Sequence, residues 1–256
     1  MLLYHAQTMH SYLSVRNSSH FMNWEHQPNQ FKIYPEEFQR IKLEPQNPHH
    51  QFLSLIGGIT AQKSYPGVTY ALRTNPSAGA LYPTEVYIQI RSVEGFEDGI
   101  YHLCPYESAL VLLYALKQDE GIECYLHSQK INGFIFLFSA LYYRSSWKYR
   151  DRAFRYCLHD TGHMLGTVEA SCFVYKKTYR ICYDIDKKAL NNLFHFGTEE
   201  FFLSSVIVGS EIDETCDTAL MQVPYVDGTG VFEANNLIEK TYLSTCELSL
   251  EKQAIM

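Results

Sequence analysis

Residues 73–83 read RTNPSAGALYP, one guanidinium followed by a run of small side chains. Ser77, Ala78, Gly79 and Ala80 let main-chain N–H groups approach a flat or anionic ligand closely, and Arg73 can neutralise a phosphate or face an electron-rich ring. The same string also reads as a tight turn before a strand, and spacing alone does not separate the two. It is not a P-loop, and DGTG at 227–230 lacks the third glycine and the strand-to-helix setting of a dinucleotide fingerprint. A second candidate is His159-Asp160-x-x-His163, which puts two imidazoles on one helical face as in the H-E-x-x-H zinc hydrolases. Asp is one methylene short for the general base there, and His195 is the available third ligand; paired histidines of this kind also occur as core or interface residues. A third is Lys148-Tyr149, set among Arg144, Arg150, Arg152 and Arg155. These are catalytic or anion-binding groups, or alternatively solvated charges and a packing aromatic. No G-x-S-x-G elbow supports a Ser-His-Asp hydrolase.

The elements that must position these groups follow from composition and pattern. The chain has 256 residues with 21 Lys+Arg against 28 Asp+Glu, a formal charge of −7, which argues against nucleic acid as the main partner. Hydrophobic residues at 46% and charged residues at 19% are an ordinary globular mix, rich in Tyr (20) and Phe (15). The seven cysteines form no C-x-x-C pair, which predicts reduced thiols and a cytoplasmic protein. MLLYHAQTMH lacks the pattern of a secretory signal, and the longest apolar run, Phe134–Tyr143, is about half the ~20 residues that span a bilayer, so no membrane association is expected.

Residues 1–50 are polar and punctuated by proline, an extended arm whose aromatics must dock elsewhere. Residues 51–62 predict a short helix stopped at Gly57-Gly58, and Tyr65-Pro66-Gly67 a turn. Thr84–Arg91 alternates as a half-buried strand, GIYHLC and LVLLY continue an antiparallel meander, and Phe134–Leu141 reads as a central strand buried on both faces. Lys148 and Tyr149 fall in an extended loop. Asp151–Tyr175 has helical periodicity, Asp186 caps a further helix, Leu203–Val208 is a buried strand, and an amphipathic segment runs from Ala234 to Tyr242. Strands and helices without a βαβα rhythm predict an α+β fold.

RTNPSAGALYP, followed by EVYIQIR and, after a gap, GIYHLCPYESAL, resembles the flavin-binding region of the SagB/ThcOx-type dehydrogenases, which are nitroreductase-like FMN enzymes. WKYRDRAFRYCLHDTGHMLGTVEAS is similar to that family's Lys-Tyr motif and following helix, and LNNLFHFGTEEFFLSSVIVG to its closing helix and strand. YHAQTMHSYLSV, NWEHQPNQFKIYP and SLIGGIT resemble the segments before the core. The resemblance covers roughly residues 4–210 and does not extend to 211–256.

It implies a nitroreductase-like fold, a mainly antiparallel sheet flanked by helices, in an intertwined homodimer with FMN at the subunit interface. The chain would then divide into an arm (1–50), an FMN-binding domain (51–210) and a C-terminal extension (211–256). The activity implied is two-electron oxidation of thiazolines and oxazolines in modified peptides, by hydride transfer to flavin N5, with a cyclodehydratase as the partner it implies. By the same resemblance the cofactor contacts are Arg73, Pro76, Ser77, Ala78, Gly79, Ala80 and Leu81, with Arg152 and Arg155 as candidates for the phosphate, and Lys148 with Tyr149 removes the ring proton. The alternatives are NAD(P)H-dependent reduction of nitroaromatics or quinones in the same pocket, and zinc hydrolysis through His159 and His163.

Overall fold

The computed structural model describes residues 2–18, 21–66, 68–117, 119–218 and 221–247. The segment expected as an extended arm begins with two short helices, α1 (Leu2–Thr8) and α2 (Tyr12–Arg16). Ser11 starts α2 through a reciprocal capping box with Ser14. The Tyr4 hydroxyl donates to Asp151 O (2.7 Å) and its ring meets Phe154 edge-on, which fastens α1 to the body. After β1 (Arg40–Lys42), α3 runs over Pro48–Leu55, capped by Asn47 and ended before Gly57, whose φ of +89° suits glycine.

The helix expected over 51–62 therefore starts earlier and stops sooner. From Ile59 the chain forms a hairpin, β2 (Ile59–Tyr65) and β3 (Val68–Arg73), a two-stranded sheet of its own. Gly67, placed in the turn by the sequence, lies outside the described residues. β2 escapes pattern reading because it packs neither face on a core, so its side chains need not alternate.

The main sheet contains β4 (Thr84–Arg91), β5 (Gly99–Cys104), β6 (Ala109–Ala115), β7 (Ile131–Leu141), β8 (Arg180–Cys182) and β9 (Glu200–Glu211). Its order is β1-β6-β5-β4-β7-β9-β8, antiparallel throughout. β4 is the middle strand and is buried on both faces, not half-buried. Val86, Ile88 and Ile90 pack with Phe134, Phe136 and Phe138 of β7 against α3 and the long helix α5 (Ala153–Val174). On the opposite face Tyr87 packs with Phe194, Phe196 and Phe202, beside α6 (Lys187–Leu193). Asp186 caps α6 by accepting from Ala189 N, as its sequence position predicts.

The polar residues of β4 stay buried because each finds a partner, and Arg144, the partner of Glu85, is in turn tied to both ends of the chain. Lys32 pairs with Glu200 at 2.7 Å with both side chains fully buried, and Arg144 donates to Asn29 O, Tyr82 O, Gly228 O and the Glu85 carboxylate. Asp227 accepts from Thr229 N and Gly230 N, so DGTG is a turn that presents Gly228 to Arg144. α7 (Asn236–Thr245) then docks Tyr242 flat on Phe201, ring centroids 4.0 Å apart. The N-terminal segment and the C-terminal extension are thus fastened to the same core. Among the described residues no helix is long and apolar enough to cross a membrane.

Candidate functional site

The loop between β3 and β4 is clamped at its middle and its end. Ser77 Oγ donates to Asp160 Oδ2 (2.5 Å) and accepts from Tyr82 N (2.9 Å), while Ala78 N donates to Asp160 Oδ1 (3.2 Å). Gly79, Ala80 and Tyr82 all have positive φ (68°, 54° and 47°), so the main chain folds back tightly here. At its end, Tyr82 O accepts from Arg144 and the Tyr82 hydroxyl accepts from Arg73 N. Burial pushes the Asp160 carboxyl above the usual aspartate range, and its bonds from Ser77 and Ala78 only partly offset this.

Lys148 and Tyr149 end the short helix α4 (Tyr143–Tyr149), where the sequence suggested an extended loop. The buried first part of α4 is pinned by Arg144, and its last residues emerge over the β3–β4 loop. A Cβ placed on Gly79 would lie 2.8 Å from the Tyr149 hydroxyl and 3.1 Å from Lys148 Nζ. The Tyr149 ring lies tilted against that of Tyr156, with centroids 4.1 Å apart, and burial raises its hydroxyl pKa. The structure therefore brings Ser77, Ala78, Gly79, Lys148 and Tyr149 together, although about seventy residues separate the two strings.

Other residues singled out in the sequence lie elsewhere. Arg73 is buried beneath the loop, its guanidinium between the rings of Phe31 (5.0 Å) and Tyr82 (4.8 Å), donating to Gln30 O; burial lowers its pKa to about 10. Its Nε has no hydrogen-bond partner among the described residues. Leu81 packs under α4 with Tyr143 and Trp147, Pro76 is exposed at the loop's rim, and Ala80 O accepts from Gln30. Arg152 donates to Thr8 O, and Arg155 to Thr8 Oγ1 and His5 O, so both hold α1. Between that helix pair and the end of α4 lies a cavity of about 400 Å³, lined by Thr8, Met9, His10, Lys148, Tyr149 and Arg150 among others.

The histidine motif is split by its own helix. His159 and His163 are exposed on α5, whereas Asp160 points inward to the loop, and His195 hydrogen-bonds Val223 O. Among the described residues no group of three or more His, Cys, Asp or Glu is placed to hold a metal ion. Sequence reasoning took Asp160 for a weak metal-site base and missed its role as the loop's clamp. It counted Arg144 among the anion-binding or solvated cations and missed Glu85, and the two fix the loop from below. Glu85 carried a signal, since a carboxylate in a central strand needs a buried partner; nothing in the sequence marked Arg144 as buried.

No family model matches the chain. Over 133 residues it is 32% identical to a candidate nitroreductase of Methanocaldococcus jannaschii, an alignment covering 45% of this chain and 63% of that relative. Its structure superposes on that of a candidate nitroreductase from Anabaena variabilis with a TM-score of 0.76 at 23% identity, covering 98% of this chain and 55% of the other. A chain of the E. coli microcin synthetase McbBCD complex, with truncated pro-MccB17 bound, matches with a TM-score of 0.51 at 19% identity, covering 80% of this chain and 75% of that one. The chain thus spans under two thirds of the length of the curated relative and about half of the Anabaena chain. The fold is that of the nitroreductases, as the resemblance implied. In sequence, the chain is similar to a candidate member of that group.

Proposed function

We propose that this chain is an FMN-dependent oxidoreductase of the SagB/ThcOx type, a dehydrogenase acting on a substrate C–H, with peptide-borne thiazolines or oxazolines as the leading substrate class. The observation that carries this reading is the convergence of Lys148 and Tyr149 on Gly79. The residues fit a flat cofactor. A side chain on Gly79 would meet the Lys-Tyr pair, and Asp160 holds the loop so that Gly79 is exposed with its main chain accessible. Main-chain groups of residues 77–80 would flank the ring. When bound, FMN would supply a two-electron acceptor for the substrate's hydride.

The chain's own residues then have separable tasks. Lys148 Nζ takes the proton released from the substrate carbon, and the Tyr149 hydroxyl, kept protonated by burial, donates a hydrogen bond that orients the substrate. Arg73 acts from beneath, through the backbone of the loop it supports. On the same reading, two copies pack through the exposed face of α5, where Leu158 and Phe173 are exposed and Gly162 and Gly166 leave open space. A cyclodehydratase partner would supply the azoline. The azoline substrate class is supported by the PSAGALYP and WKY strings rather than by the fold.

The test is direct. The purified chain should bind FMN stoichiometrically and convert a thiazoline-containing peptide to the thiazole with loss of two hydrogens, and Lys148→Ala should keep the flavin and lose turnover. The second reading, reduction of nitroaromatics or quinones, is favoured by the candidate nitroreductase from Methanocaldococcus jannaschii. It would replace the first if NADPH reduced the bound flavin rapidly and the azoline peptide stayed unchanged. Failure to bind flavin would remove both.

A further inference from the structure

The cavity between the arm and the end of α4 carries cationic side chains besides the Lys148 that the proposed proton transfer uses. Of the residues lining it, Lys148, Arg150 and Arg152 are cationic and Asp151 is the one acid, in a chain whose formal charge is −7. Asp151 is engaged, its Oδ1 accepting from Asn235 Nδ2 at 2.8 Å. Arg152 donates to Thr8 O and leaves Nε without a partner among the described residues. The Arg150 side chain makes no hydrogen bond or ion pair there at all.

Arg150 is also the strained residue of the site. Its φ of 48° and ψ of −132° lie in a region that residues with a side chain rarely adopt, at the joint between α4 and the turn leading into α5. Glycine would fit this joint without strain, yet the position holds an exposed arginine next to Lys148 and Tyr149. A strained backbone that carries an unpaired guanidinium into a cavity is an arrangement with a use in binding an oxyanion, which a planar, always-charged fork contacts through two hydrogen bonds.

We infer that this cavity is an oxyanion subsite, in which Arg150, beside the unpartnered Nε of Arg152, binds a carboxylate or phosphate group of the substrate, with the α1–α2 segment as its outer wall. The group is one carried by the substrate, because Lys148 and Tyr149, which the proposed reaction places at the substrate, line the same cavity. The source of the anion rests on the proposed function, whereas the anion site itself rests on the cavity.

The experiment compares wild type, Arg150→Lys and Arg150→Gly by thermal denaturation in inorganic phosphate and in chloride at matched ionic strength. Each is then titrated with FMN and with riboflavin by fluorescence quenching. A ligand that binds only the folded state raises the melting temperature. Phosphate should stabilise wild type, stabilise Arg150→Lys less, and leave Arg150→Gly at its chloride value. A preference for FMN over riboflavin that falls tenfold or more in Arg150→Gly would overturn the proposal and give the anion to the cofactor. An intact preference with the phosphate response lost assigns it to the substrate. Arg150→Gly should melt no lower than wild type in chloride, because glycine accepts the backbone geometry. A phosphate response in Arg150→Gly equal to that of wild type overturns the subsite, whether or not flavin binds. Loss of that response in Arg150→Gly, with no flavin bound by any variant, leaves the subsite standing and removes the flavin reading instead.

Discussion

Arg144 and Lys148 stand one helical turn apart on α4, yet they sit in opposite electrostatic environments. Arg144 is 1% exposed, and its donors are spent on Asn29 O, Tyr82 O, Gly228 O and Glu85, whose other oxygen lies 3.0 Å from His102 Nε2. Lys148, with Arg150 beyond it, faces a cavity and meets no carboxylate within ion-pair distance among the described residues. The first end of the helix is held by paired, dry charges; the second keeps its charges available. A buried pair is costly to break, whereas an unpaired cation at a cavity contributes little to folding and is free to act on a ligand.

The contrast is sharpest if the two ends are truncated in parallel. Arg144→Ala would leave Glu85 buried without its main counter-charge and three carbonyls without their donor. Urea denaturation should show a loss of about 3–5 kcal/mol, the range for breaking a buried pair. A loss under about 1 kcal/mol would erase the distinction drawn between the two ends. Lys148→Ala should leave the urea midpoint within about 0.5 kcal/mol of wild type, while turnover falls ~10²–10⁴-fold, the range for a general base. Unchanged turnover would instead make the lysine a solvated charge.

A smaller effect is expected where the two strings meet. Gly79→Ala places a Cβ against the Tyr149 hydroxyl at a φ of +68°, so a destabilisation of about 1–2 kcal/mol is expected together with weakened flavin binding. If the variant matches wild type in both, the loop does not meet the pair as described.

The smallest effects are in pH dependence, where Glu85 and Asp160 act in opposite directions. Burial pushes Glu85 up, but Arg144 and His102 more than offset it and hold the carboxyl well below the usual range. Its contribution is therefore present above the unfolded glutamate value and is lost as pH falls through the folded one. Asp160 is raised, so its contribution is fullest below the unfolded aspartate value and is lost as pH rises through the folded one. Asp160→Asn should accordingly fare better relative to wild type at neutral pH than in acid. A stability difference independent of pH would contradict the raised carboxyl.

The sequence made the regular parts of this molecule legible. Alternation marked β4, an apolar run marked β7, helical spacing marked α5, and Asp186 marked the start of α6, because each signal is local. It also singled out both strings that meet at Gly79. What it missed depends on contacts between distant residues. The Ser77–Asp160 clamp joins positions 83 apart, and the partners of Arg144 come from both ends of the chain. The half-buried reading of β4 failed for the same reason, since Glu85, Gln89 and Arg91 look like solvent-facing residues until their buried partners are known. Gln89 Nε2 donates to Glu123, and Arg91 pairs with the same carboxylate. The helices of the N-terminal segment were hidden because α1 is held by tertiary anchors, Tyr4 on Asp151 and Arg155 on His5, rather than by a strong local pattern.

The central claim is that the loop clamped by Asp160 and the end of α4 form one flavin site around Gly79. The visible absorption spectrum of the purified chain, saturated with FMN and freed of excess by gel filtration, tests it most directly. The account predicts one flavin retained per chain in wild type and in Lys148→Ala, with the flavin lost from a folded Gly79→Val. A colourless wild type, or flavin retained at full occupancy in Gly79→Val, would contradict it.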